Sequence, residues 1–191
     1  ERVGHLLRSQ RDAWVICTKV GEEFDNGQSH FDFSAEHTRF SIERSLKRLQ
    51  TDYLDIVLIH SDGNDIDIIE NGEALDTLAR CKREGLIRAY GMSTKTIEGG
   101  IAAAKHGDAV MATYNIEYTD EKPVLDFCRT HRKGVLIKKA FVSGHTADPA
   151  SALRFVLREP SVSSVIVGTI DPLHLQQNIA VAFSVDSDSA N

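Results

Sequence analysis

Six short apolar stretches punctuate this chain: Trp14 to Val20, Asp55 to His60, Ile87 to Met92, Ala109 to Asn115, Val135 to Ala140 and Val165 to Thr169. Several are apolar almost throughout rather than alternating, which is the pattern of strands buried on both faces of a parallel sheet. Between them, apolar residues recur at helical spacing. Ile42, Leu46 and Leu49 follow a capping Ser34; Ala74, Leu78 and Cys81 make a second stripe, and Ile97, Ile101 and Ala104 a third. Val124 and Cys128 mark a fourth helix, and Leu153, Val156 and Leu157 a fifth. Gly85, Gly107 and Gly134 each close a helical stretch just before a strand, where a left-handed C-cap is expected. Asp148-Pro149 and Asp171-Pro172 place a capping acid before a proline suited to the first helical turn. Strand and helix alternating in this way demand a parallel sheet with helices outside it.

An open doubly wound sheet and a closed barrel both satisfy that alternation. No G-x-G-x-x-G follows the first strand and no Walker loop occurs, which disfavours the open sheet. Six units in 191 residues leave roughly 32 residues each, so eight would need roughly 255, near the length of a (β/α)8 barrel. The expectation is an α/β fold of the TIM-barrel type, one domain over residues 1–191 that is incomplete at its N-terminus and covers about six strand-helix units. On that count the first two units precede Glu1, and the short amphipathic opening "ERVGHLLRS" follows on from them.

The ends of the strands carry the chemistry. In such a barrel the active site lies at the carboxyl ends of the strands. "VICTKVG" ends on Lys19, and "DYLDIVLIHSDG" runs through a buried strand to His60. Adjacent parallel strands lie ~4.8 Å apart, so these two ionisable groups can converge on one small volume. A lysine closing a buried strand must have its charge paired or solvated. The same residues also suit a plain rim, with the lysine reaching solvent and the histidine bonded to a backbone carbonyl. Asp62 and Asn64 border this mouth, while the rest of "SDGNDIDIIE" reads as a solvated acidic loop, because Ile66 interrupts any calcium-loop spacing.

"VICTKVG", "IERSLKRLQTDYLDIVLIHSDG", "LARCKREGLIRAYGMST", "ATYN" and "SVIVGTIDPLHLQQNIA", in this order, resemble segments of the aldo/keto reductase family over essentially the whole chain. The run from Ser45-Leu46-Lys47-Arg48-Leu49 to His60 is the most specific of them, and "ERVGHLL" resembles the stretch after the family's catalytic tyrosine. The resemblance implies a (β/α)8 barrel and hydride transfer from a nicotinamide cofactor to an aldehyde or ketone. It also implies a catalytic tetrad of Asp, Tyr, Lys and His, in which Lys19 matches the lysine and His60 the histidine. A tyrosine with pKa ≈ 10 needs a nearby cation to act near neutral pH, which Lys19 would supply. His60 would bond to the carbonyl oxygen as negative charge develops there. Tyr53, Tyr90, Tyr114 and Tyr118 do not match the tetrad tyrosine, so the aspartate and tyrosine are expected upstream of Glu1.

The resemblance also implies where the cofactor binds. Ser93 matches the serine near the nicotinamide carboxamide, and Thr94 stands where asparagine is common. Tyr114 belongs to the Tyr-Asn pair of the cofactor site, and Met111 replaces the glutamine three residues before it. Lys138 takes the place of an aromatic ring that often stacks on the nicotinamide, and with Lys139 it offers point charges to phosphate. "GTIDPLHLQQN" resembles the adenosine-phosphate segment, with Gly168 and Thr169 as donors and Gln177 and Asn178 near the adenine. Gly168 and His174 replace basic residues that often grip a 2′-phosphate, and Asp171 reads as a helix cap. NADP is expected by family habit, with NAD as the alternative.

A net charge of −6 provides no basic footprint for nucleic acid or an anionic membrane, and no apolar run has the length of a membrane span. The partner expected is thus a small-molecule carbonyl substrate, with neither nucleic acid nor membrane. Cys17, Cys81 and Cys128 are odd in number and lack C-x-x-C spacing, as suits buried thiols in a reducing cytoplasm. Two other readings compete: a nucleotide-binding regulatory or sensing barrel with little turnover, and a metal-dependent hydrolase using His60, Asp62 and His145. The eight histidines form no tight ligand pair, so no metal is expected.

Overall fold

The computed structural model describes residues 2–7 and 9–188, so Glu1 and Arg8 of the opening stretch lie outside the described residues. It divides into two compact units, Glu1–Val110 and Met111–Asn191. The first holds α1 (Arg2–Leu7), β1 (Cys17–Val20), β2 (Glu22–Asp25), β3 (Gln28–Phe31), α2 (Ala35–Leu49) and β4 (Leu54–His60). It continues through α3 (Asp65–Glu70), α4 (Ala74–Arg83), β5 (Ile87–Ser93) and α5 (Ile97–His106), and β6 (Ala109–Thr113) runs across the boundary. The second holds α6 (Lys122–Thr130), β7 (Gly134–Lys138), α7 (Pro149–Leu157), β8 (Ser164–Val165) and α8 (Pro172–Asp188).

In the first unit β4 pairs in parallel with β1 on one side and β5 on the other. Leu54, Val57, Leu58 and Ile59 of β4 are fully buried, as are Ile42 of α2, Leu78 of α4 and Met92 of β5. Each such side chain contributes about 1.5–3 kcal/mol of hydrophobic stabilisation, so β4 is the spine of this core. In the second unit β7 and β8 are parallel, pairing Leu136 with Ser164 and Ile137 with Val165, and Leu125, Cys128, Ile137 and Val156 are buried.

The helix caps follow the expected chemistry. Ser34 Oγ accepts from the His37 N–H at 3.2 Å, and Asp148 Oδ1 from the Ser151 N–H at 3.0 Å. Other expectations need correction. β1 begins at Cys17, because Trp14 and Val15 are exposed. β8 is short, and the acidic segment after β4 forms the helix α3. Of the three glycines expected in left-handed caps only Gly85 has that conformation, with φ +81°; Gln50 and Arg132 take it elsewhere with φ +55°. Gly134 lies inside β7. Gly107 is needed for a close approach instead, since a Cβ there would lie 3.0 Å from the Gly91 Cα and the Tyr90 carbonyl oxygen.

Gly91 is tighter still: a Cβ would sit 1.7 Å from the Ala109 carbonyl oxygen. The backbones of β5 and β6 would have to part to admit it. Gly91→Ala is therefore expected to lower the unfolding free energy by about 3 kcal/mol in a denaturant titration. A loss below about 0.5 kcal/mol would contradict the packing of this strand pair.

Candidate active site

The register of β4 decides which side chains share a face. Lys19 pairs with Leu58, and His60 pairs with Ser93. Register partners in a parallel pair point to the same side, and residues two apart on one strand do also. Lys19, Leu58, His60 and Ser93 therefore lie on one face of the sheet, with His60 two residues, or about 6.6 Å, further toward the carboxyl end than Lys19. The Lys19 side chain is exposed and His60 is half-buried, on strands whose Val20, Leu58 and Ile59 are buried in the core.

Two acidic residues that sequence reasoning did not single out shape this end. Glu22, the first residue of β2, brings its Oε2 within hydrogen-bond reach of His60 Nδ1. The hairpin that carries it was legible in Asn26-Gly27, whose φ values of +50° and +81° make the two-residue turn that Asn-Gly favours. Asp65, at the start of α3, is buried instead of solvated. One of its oxygens accepts from Ser61 Oγ. The other accepts from the Lys95 N–H at 2.8 Å and from the Thr96 N–H and Oγ1, both at 2.7 Å. Asp65 thus ties the loop after His60 to the loop after Ser93. Lys95 Nζ adds a second tie by donating to the Asp62 carbonyl oxygen at 3.0 Å. Ser93 and Thr94 are buried between these ties.

In the second unit, Gln177 and Asn178 of α8 line a cavity of about 400 Å³ together with Asp148, Pro149 and Ala150. Two side-chain amides beside an open cavity offer the paired donors and acceptors that a purine edge needs. Gly168, Thr169 and His174 are exposed near the start of α8. Thr169 Oγ1 accepts from the Asp171 N–H at 3.1 Å, and Asp171 Oδ1 accepts from the Leu173 N–H at 2.8 Å. Asp171 is therefore a cap, as read from the sequence, and its second oxygen lies 3.8 Å from His174 Nε2. Lys138 is half-buried at the end of β7 and Lys139 is exposed, with φ +59°. Tyr114 turns toward α7, stacking on Phe155 with centroids 5.3 Å apart, and it walls a cavity of about 380 Å³ with Arg154 and Arg158. Burial raises its phenol above the ordinary range.

A model of the aldo/keto reductase family matches residues 1–145. A solved structure from Pseudomonas aeruginosa, described as an aldo-keto reductase, is 55% identical with a TM-score of 0.91, covering 96% of this chain and 72% of that one. An oxidoreductase of Bacillus subtilis is 25% identical over 95% of this chain and 72% of its own length. D-arabinose 1-dehydrogenase of Saccharomyces cerevisiae is 40% identical over 46% of this chain and 25% of its own. The fold is that of the (β/α)8 barrel, of which this chain carries six strands in parallel-sheet units.

The Asp65 ties are open to a direct check. Asp65→Ala strips an acceptor from two backbone N–H groups and two hydroxyls in a buried place. Urea titration is expected to show a loss of about 3 kcal/mol. A loss under about 0.5 kcal/mol would mean that the two loops hold themselves in place.

Proposed function

The chain belongs to the aldo/keto reductase family, a nicotinamide-dependent oxidoreductase of aldehydes or ketones, and we propose on that premise that Lys19 and His60 do its chemistry. The observation that supports this assignment is the register that sets both on one face at one end of β1 and β4. Lys19 places an ammonium where it stabilises a neighbouring phenolate, and His60 places an imidazole where it bonds to the carbonyl oxygen. Ser93, in register with His60, and Thr94 hold the carboxamide end of the cofactor.

The residues of the second unit, taken by themselves, suit the adenosine half of a dinucleotide. Gln177 and Asn178 take the adenine at their cavity, and Gly168 and Thr169 border the ribose phosphate. Lys138 offers charge to the pyrophosphate, and Tyr114 is assigned to the cofactor site by its place in the Tyr114-Asn115 pair. The cofactor, when bound, supplies the hydride. We favour NADP over NAD, with His174 meeting the 2′-phosphate. The Asp171 carboxylate beside His174 competes for that contact, so the preference rests on a weak grip. The free cysteines, two of them fully buried, are in keeping with a cytoplasmic place, and among the described residues no helix is long and apolar enough to cross a membrane.

The test uses the full-length protein with a simple aldehyde. Lys19→Met is expected to lower kcat by at least about a hundredfold while NADPH binding, followed by cofactor fluorescence, changes less than about threefold. Unchanged turnover would overturn the assignment. For the cofactor, His174→Arg is expected to raise the preference for NADPH over NADH about tenfold, read as a ratio of dissociation constants. An unchanged ratio would move the 2′-phosphate contact to another group.

A further inference from the structure

His60 is held from two sides, by its own strand and by the hairpin that follows β1. Glu22 opens that hairpin, and both of its carboxylate oxygens are engaged: Oε2 meets His60 Nδ1, and Oε1 accepts from Ser29 Oγ at 2.6 Å. Phe31, the register partner of Glu22 in β3, presents its ring edge-on to the imidazole, with centroids 6.4 Å apart. Phe33 packs behind Phe31 at 6.1 Å. Gly21 lets the chain turn into this arrangement, with φ +97° and no room for a Cβ, which would lie 2.7 Å from the Phe33 ring. Carboxylate, hydroxyl and aromatic edge thus fix one orientation of the His60 ring.

We propose that Glu22 is a positioning residue for carbonyl reduction, holding Nδ1–H of His60 on its carboxylate so that the ring is doubly protonated and presents Nε2–H to the substrate oxygen. This rests on the reading that His60 faces the reacting carbonyl. A neutral imidazole carries a single N–H. With a carboxylate at Nδ1 that proton lies on Nδ1, leaving a lone pair on Nε2 that would repel a carbonyl oxygen. Only the imidazolium satisfies Glu22 and a carbonyl oxygen together. It is also the stronger donor to an oxygen that gains negative charge during hydride transfer.

The groups around the ring set the balance. Glu22 from β2 favours the imidazolium. Lys19 from β1, on the same face, and Lys95 from the loop after β5 oppose it. Lys95 acts on Glu22 less than His60 does, and its Nζ is engaged by the Asp62 carbonyl oxygen. Ser93 from β5 and Phe31 from β3 are uncharged. The Glu22 carboxyl lies below its ordinary range, first through the Ser29 hydroxyl and then through His60, so it stays ionised across the pH range in which a histidine titrates. A carboxylate partner raises the pH at which the imidazolium loses its proton. The effect of Glu22 is therefore present at lower pH and lost as pH rises through the titration of His60.

The experiment follows the His60 imidazole by NMR and the pH profile of kcat/KM for aldehyde reduction. It compares the full-length protein with Glu22→Gln, Glu22→Asp and His60→Ala. Glu22→Gln is expected to move the His60 titration down by about one pH unit and the alkaline limb of kcat/KM with it. It should also lower kcat/KM about tenfold at pH 8, with the Kd of NADPH unchanged. Glu22→Asp should restore most of both. A His60 titration that does not move in Glu22→Gln, or one that moves while the alkaline limb stays, would overturn the proposal. Full turnover in His60→Ala would instead overturn the reading of His60 on which it stands.

Discussion

The parallel pairing of β4 with both of its neighbours is the constraint on which the site depends. A slip of one residue in either pairing would send Lys19 or Ser93 to the face opposite His60. Lys19 opposite Leu58, and His60 opposite Ser93, are outcomes of that register. The register is secured by burial: Val57 and Ile59 face one way, Leu58 the other, and none has exposed surface. The same apolar residues that form the core therefore also aim the polar residues that end the strands.

Strand ends alone do not hold side chains still. At the carboxyl end of β4 two carboxylates perform that task by different means. Asp65 is buried and neutral in its contacts, accepting from backbone N–H groups and hydroxyls that belong to two loops. Glu22 is partly open and pairs with a group that can carry charge. The first fixes backbone and the second fixes a ring. Elsewhere in the first unit a third carboxylate, Asp55 near the start of β4, accepts from Arg11 at 2.7 Å and from the Ile16 N–H at 2.9 Å. It anchors the approach to β1 at the end remote from the site.

Much of this was legible in the sequence because burial on both faces leaves an apolar run that cannot be mistaken for a surface strand. The core of β4, the Ser34 cap and the Asp-Pro helix starts follow directly. What was less legible depends on tertiary context. Asp65 sits in a stretch rich in acids, and nothing local separates it from Asp62 or Asp67; its burial arises from donors some thirty residues away at Lys95 and Thr96. The hairpin of β2 and β3 alternates weakly because it is largely exposed, although Asn26-Gly27 marks its turn. Gly107 caps α5 as it reads, but in an extended rather than a left-handed conformation, and its missing Cβ serves close packing against Gly91. Tyr114 is legible by its place in a motif, but the stacking of its ring on Phe155 is not.

The central claim is that Lys19 and His60 act on one reacting centre. A double-mutant cycle on kcat for aldehyde reduction tests it most directly, using Lys19→Met, His60→Ala and the pair in the full-length protein. Groups that act as a unit lose most of their rate with the first removal, so the double variant should fall within about tenfold of the worse single variant. Losses that multiply fully, or a variant that keeps its rate, would show that the two side chains do not share a centre.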